Sequence, residues 1–138
     1  MAAGMPQLMN MMRKPEANQS LMGVVLDVSR NYKTQTSSDY VTRIKLVDST
    51  LNPLTLMQKE QRNYMQVFLF SRHNDELPQI DKIGDILLLK RFNFQHFQPR
   101  DEKCKPSGPL EVIGKKYPKS AYYVFDWASA LENDFSVI

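Results

Sequence analysis

YMQVFLFSRHNDELPQIDKIGDILLLKRFNFQHF, residues 64–97, reads as two strands joined by a short helical turn. In Tyr64–Phe70 the odd positions Met65, Val67 and Leu69 are aliphatic or thioether, and the even positions are Tyr64, Gln66, Phe68 and Phe70. Side chains alternate faces along a strand, so one face is a plain core face and the other carries three aromatics. In Asp85–Phe97 the even set (Ile86, Leu88, Phe92, Phe94) is expected to be buried, and the odd set ends in Arg91, Asn93, Gln95 and Phe97. Between them, Asp75-Glu76-Leu77-Pro78 has the acidic first turn and early proline of a helix start, and Gly84-Asp85 marks the turn into the second strand. An outer face mixing aromatics, amides and guanidinium suits the stacking of unpaired bases. The same pattern suits a strand covered on both sides by other elements, and alternation alone does not separate the two.

Working outward, Leu21–Arg30 is a strand with Val24, Leu26 and Val28 on one face. Asn31–Ser38 is a polar loop carrying Tyr32 and Lys33. Asp39–Asp48 is a second strand, with Ile44 and Leu46 toward the core and Val41, Arg43, Lys45 and Val47 on the other side. Arg43 and Lys45 then lie beside the aromatic face of Tyr64–Phe70, where cations serve phosphates and bases together; an ordinary solvated edge is the alternative. Ser49–Asn63 reads as an exposed excursion. Gln98–Lys119 reads as a loop of about twenty residues, broken by prolines and glycines. It holds six Lys/Arg against three Asp/Glu, an excess equal to the net charge of +3 for the whole chain. Such a loop suits closure over a phosphate backbone, or solvated disorder. Ser120–Trp127 is the last strand, rich in aromatics, and Ala128–Ile138 a short helix or tail. The Met-rich residues 1–20 are expected to form a flexible tail, with docking onto a partner as the alternative. Five strands, a short helix between the third and fourth, and long loops after the first and fourth describe an all-β chain: a five-stranded OB-fold Greek-key barrel over 21–138.

At 138 residues, 42% hydrophobic and 24% charged, the chain has the composition of one soluble globular domain. A sequence pI near 9.0 permits a polyanion partner. The single cysteine, Cys104, forms no internal disulfide and suits a reducing compartment. No apolar run has the length of a membrane span, and the first residues lack the order of a signal peptide, so an intracellular protein is expected. His73 and His96 have no partners identifiable from spacing, no glycine-rich phosphate loop occurs, and nothing sets a base beside Cys104. Neither catalysis nor a metal or other cofactor is expected.

Several short runs resemble the first OB-fold of the telomere end-binding family, which comprises the ciliate telomere-binding protein alpha subunit and the protection-of-telomeres proteins. These runs are Gly23-Val24-Val25, Tyr32-Lys33-Thr34, Asp39-Tyr40, Lys45-Leu46-Val47-Asp48, and the set Leu77-Pro78, Ile80, Gly84-Asp85-Ile86 and Lys90-Arg91. The resemblance covers Gly23 to Phe97, and the last strand loosely; the Ser49–Asn63 excursion is closer to the ciliate form. It implies a domain that grips the G-rich single-stranded 3′ overhang, in the nucleus at chromosome telomeres. By position, Tyr32, Lys33 and Thr34 fall in the loop bordering DNA, Asp39 at an acidic hydrogen-bonder to a base, Phe70 at a base-contacting aromatic and Phe97 at a stacking tyrosine. Phe97 keeps the stacking surface without the hydroxyl, and Lys90 stands where the family often has His. Family members usually carry two or more OB domains in tandem, so either an excised domain or a single-domain paralogue is expected.

The function implied is binding of single-stranded telomeric DNA. Phe70 and Phe97 would stack bases, Asp39 would read a base edge, and Lys33, Arg43, Lys45, Arg72, Arg91 and the basic loop would hold the backbone. The rival is an OB-fold protein-interaction subunit of a telomere or telomerase complex with weak or no DNA binding. A third reading is a general single-strand binder without preference for G-rich repeats.

Overall fold

The computed structural model describes residues 5–35, 37–50 and 64–126. The expectations for most of the Ser49–Asn63 excursion and for Ala128–Ile138 lie outside these residues. The described elements are α1 (Leu8–Arg13), β1 (Gln19–Val28), β2 (Tyr32–Lys33), β3 (Tyr40–Val47), β4 (Met65–Ser71), a single 3-10 turn (Asn74–Glu76), β5 (Ile86–Phe97), β6 (Glu111–Lys115) and β7 (Ala121–Phe125).

The barrel runs β1-β3-β4-β6-β5 and closes through an antiparallel β5–β1 pairing. Every neighbour pair is antiparallel except β4–β6, which is parallel. This is the OB-fold barrel, and full closure leaves none of its five strands with an unpaired edge. Its fifth strand differs from the one expected. Glu111–Lys115, inside the segment read as a long loop, closes the barrel, whereas Ala121–Phe125 adds an outer strand along Ile86–Lys90. The part of that loop before β6 holds a small hairpin. Asp101 Oδ1 accepts the amides of Lys103 and Lys105 at 2.9 Å each, and Arg100 bridges to Pro106.

β4 follows strict alternation: Met65, Val67 and Leu69 are fully buried, and Gln66, Phe68 and Phe70 lie half-exposed outside. β5 does not. Leu87 and Leu89 point into the main core in its first half, and Phe92 and Phe94 in its second. Leu89 pairs with Leu21 and Phe92 with Gln19, so β5 carries one more residue than β1 across this interval. Arg91, at φ +61°, sits in this bulge. A bulge bends the strand and switches side-chain parity, so Ile86 is buried in an outer cluster and Leu88 only partly buried against it. β1 has a comparable shift at Leu26. The core side of β1 is therefore Leu21 and Val25; Val24 faces outward into the outer cluster, and Leu26 is exposed. That outer cluster, formed by Met22, Val24, Val47 and Ile86 under Met5, Tyr64, Leu88 and Phe125, also explains the apolar Val47 on the outer face of β3.

The N-terminal segment departs from the flexible tail expected. Leu8 and Met11 of α1 are buried in the main core. Asp48 Oδ2 accepts the Leu8 amide at 2.9 Å, the Glu16 carbonyl accepts the Phe94 amide at 2.9 Å, and the His96 ring bonds the Met12 carbonyl at 2.7 Å. Gly23 makes room for the helix: a Cβ there would lie 3.1 Å from Leu8 Cδ1 and from Leu46 Cβ. The helix start expected at Asp75–Pro78 is only the 3-10 turn, its Glu76 carboxylate bonded to the Ser71 hydroxyl at 2.9 Å.

Candidate nucleic-acid interface

The outer faces of β4 and β6, side by side in parallel register, form the floor of a groove of about 380 Å³. Phe68 and Phe70 from β4 and Ile113 and Lys115 from β6 line it. Phe97, at the end of β5 and 48% exposed, closes one side with Pro99; its register partner is Glu111. The opposite wall is the hairpin after β1, which supplies Thr34, Ser37 and Asp39. Thr34 braces that wall: its amide donates to the Asp39 carbonyl at 2.9 Å and its hydroxyl to the same oxygen at 3.1 Å.

A second concavity of about 430 Å³ shares Asp39, Phe70 and Lys115 with the first and continues to Arg72, His73 and Tyr117. Its far rim is tied down by Lys116, whose ammonium is 3.6 Å from Glu76. The Ser71 hydroxyl, and more weakly the Lys116 charge, lower the Glu76 pKa below 4.5 against the opposing effect of burial.

The groove thus gathers Thr34, Asp39, Phe70 and Phe97, with Arg72 in the adjoining concavity. Tyr32 and Lys33 are exposed on β2, one step along the same hairpin. Arg43 and Lys45 share the outer face but are engaged elsewhere. Arg43 is 3.6 Å from Asp27, and the Lys45 ammonium lies 4.8 Å from the Tyr64 ring centroid. Arg91 lies beyond the groove, against Tyr117 and Pro118. Apart from Ser37 and Pro99 on its sides, four groove residues were not singled out individually from the sequence: Phe68, Glu111, Ile113 and Lys115, the last expected only as one cation of the basic loop. Strand alternation already placed Phe68 on the aromatic face. The other three belong to β6, which the proline-rich surroundings hid.

Chemically, the groove offers aromatic faces for planar ligands, a lysine shared by both concavities, and two carboxylates, Asp39 and Glu111. Carboxylates repel phosphates, so their place in a nucleic-acid groove is opposite base edges that donate hydrogen bonds. Among the described residues no cluster of His, Cys, Asp and Glu is arranged to hold a metal, and no helix is long and apolar enough to cross a membrane.

A closed Greek-key barrel with an aromatic groove across one sheet face defines an OB-fold. Residues 5–135 match the family model described as telomeric single-stranded DNA binding POT1/CDC13, and the chain belongs to that family. It is 28% identical over 112 residues to the telomere-binding protein 51 kDa subunit of Euplotes crassus, covering 81% of this chain but 21% of that protein. Its fold is similar to that of fission yeast Pot1 crystallised with single-stranded DNA (TM-score 0.62, 19% identity, 91% of this chain and 37% of that one). A second Pot1 (protection of telomere)–DNA complex gives a TM-score of 0.60 at 20% identity, over 88% of this chain and 62% of that one.

Proposed function

We propose that this domain binds single-stranded G-rich telomeric DNA in the nucleus, as a binding module without catalytic activity. The observation that carries this reading is the continuous aromatic groove over β4 and β6, in a chain of a telomeric single-stranded DNA binding family. Named relatives support it: the Euplotes crassus protein is a telomere-binding subunit, and the two similar structures contain single-stranded DNA.

Bases stack on Phe70 and Phe97, with Phe68 extending the floor. Asp39 and Glu111 select the bases: guanine alone presents adjacent N1–H and N2–H donors on its Watson–Crick edge, the pattern a carboxylate accepts. Glu111 is held for this by Gln66, whose side-chain amide donates to Oε2 at 3.1 Å. Lys115, Arg72 and Lys33 neutralise phosphates. The test is binding of a labelled G-rich oligonucleotide by wild type and by Phe70→Ala. The expected loss is about 1–3 kcal/mol, the increment for removing one stacking platform. Unchanged affinity in a folded variant would remove the groove from the binding site.

A further inference from the structure

The turn between β6 and β7 is built more firmly than a connection requires. The buried Ser120 hydroxyl accepts the Tyr117 amide at 2.8 Å and donates to the Arg91 carbonyl, while the Ser120 amide donates to the Tyr117 carbonyl at 3.0 Å. Pro118 fixes one backbone angle within it. The turn is thereby locked to the β5 bulge, where Arg91 holds a left-handed conformation that a non-glycine residue rarely adopts. The Arg91 amide is held from the other side by the Ser20 hydroxyl at 3.2 Å. Strain fixed by hydrogen bonds on both sides of one residue points to a positional requirement. Its outcome here is to set the Arg91 side chain, the 43% exposed Tyr117 ring and Lys119 around a concavity of about 300 Å³.

Tyr117 and Pro118 also line the concavity that shares Phe70 and Lys115 with the strand-face groove. A strand leaving Phe70 along that path therefore meets Tyr117 next. The partner chemistry follows from charge: an exposed aromatic ring flanked by an arginine and a lysine offers a base a stacking face and its phosphate two cations.

We propose that Tyr117, Arg91 and Lys119 form a further nucleotide subsite, which stacks one base beyond the strand-face groove and directs the DNA past the β6–β7 turn. This rests on the DNA-binding reading of the groove. The experiment is a ladder of G-rich oligonucleotides lengthened one nucleotide at a time from either end, bound to wild type, Tyr117→Ala and Tyr117→Phe. Wild-type affinity is expected to step up at one length and from one end only, by roughly 5- to 150-fold. Tyr117→Ala should lose that step and bind the shorter oligonucleotides as wild type does, whereas Tyr117→Phe should keep it. Lys119→Ala, an exposed change, should flatten the salt dependence for the longer oligonucleotides only. A loss in Tyr117→Ala that is equal at every length, or no loss at any length, would overturn the subsite while leaving the groove standing. No wild-type binding at any length would overturn the groove reading itself.

Discussion

Phe97 and Gly114 show how single residues serve the site and the fold separately. Phe97 is half-exposed at the end of β5 and stands outside both hydrophobic clusters, so its ring contributes little to the core. Phe97→Ala is expected to weaken oligonucleotide binding by about 1–3 kcal/mol and to leave the thermal midpoint nearly unchanged; titration and a melting curve on the same sample check both. Gly114 is the reverse case. It pairs with Leu69 and Phe94 from the two flanking strands, and a Cβ there would lie 2.7 Å from Leu69 Cδ2 and 3.0 Å from the Phe94 ring. Gly114→Ala should destabilise the fold by about 1–3 kcal/mol through overpacking, read as a lower urea midpoint. At this scale the sequence was informative where alternation was uninterrupted: Phe70 lines the groove as β4 parity required, and Phe97 does so because beyond the bulge the even positions Phe92 and Phe94 stay inside. It was uninformative for Glu111, because a lone acidic residue beside prolines carries no sign of the strand it sits in.

At the scale of elements, legibility depended on how locally each element is specified. β4 could be read in full because its alternation has no defect. β5 could not, because the bulge at Arg91 inverts parity midway and its cause lies in distant partners, Ser20 and Ser120. β6 is five residues long and is stabilised by pairing with two strands far away in sequence, which no local propensity reveals. α1 is six residues long, too short to be helical by propensity, and forms because Leu8 and Met11 reach the core. Leu8→Ala should therefore cost about 2–5 kcal/mol, the range for truncating a buried leucine; a flexible tail would lose almost nothing in the same urea titration. The 3-10 turn after β4 carries a pH dependence through Glu76, which is bonded to the Ser71 hydroxyl and lies near Lys116. Its pKa is lowered in the folded protein, so its contribution to stability is present above about pH 4.5, the ordinary value, and disappears as pH falls through the lowered pKa. Wild type and Glu76→Gln should thus differ in stability near neutrality and converge in acid. Melting curves from pH 7 to pH 3 would show it; a difference growing toward low pH would contradict the assignment.

Across the whole molecule, the two sides of the barrel wall do different work. The inside is sealed, by α1 among other elements, and is apolar throughout most of its lining. The outside is divided between the second hydrophobic cluster and the groove, so the same strands bury one outer region and offer another to a ligand. The barrel class was legible in the sequence because its first four strands and the helical break occur in OB-fold order, while the strand that closes it, β6, was not. Nor was it legible that α1 enters the core, since that depends on contacts of Leu8 and Met11 with strands distant in sequence. The match spans 21% of the Euplotes crassus relative's length.

The most direct test is fluorescence anisotropy of a labelled G-rich telomeric single strand at two salt concentrations, with the unlabelled G-rich strand, a C-rich strand not complementary to the label, and duplex as the three competitors. The groove predicts saturable binding displaced only by the G-rich single strand. Affinity should fall with rising salt at a log–log slope of about −0.7 per phosphate neutralised. No binding at low salt, or equal displacement by all three competitors, would contradict selective recognition of the telomeric strand.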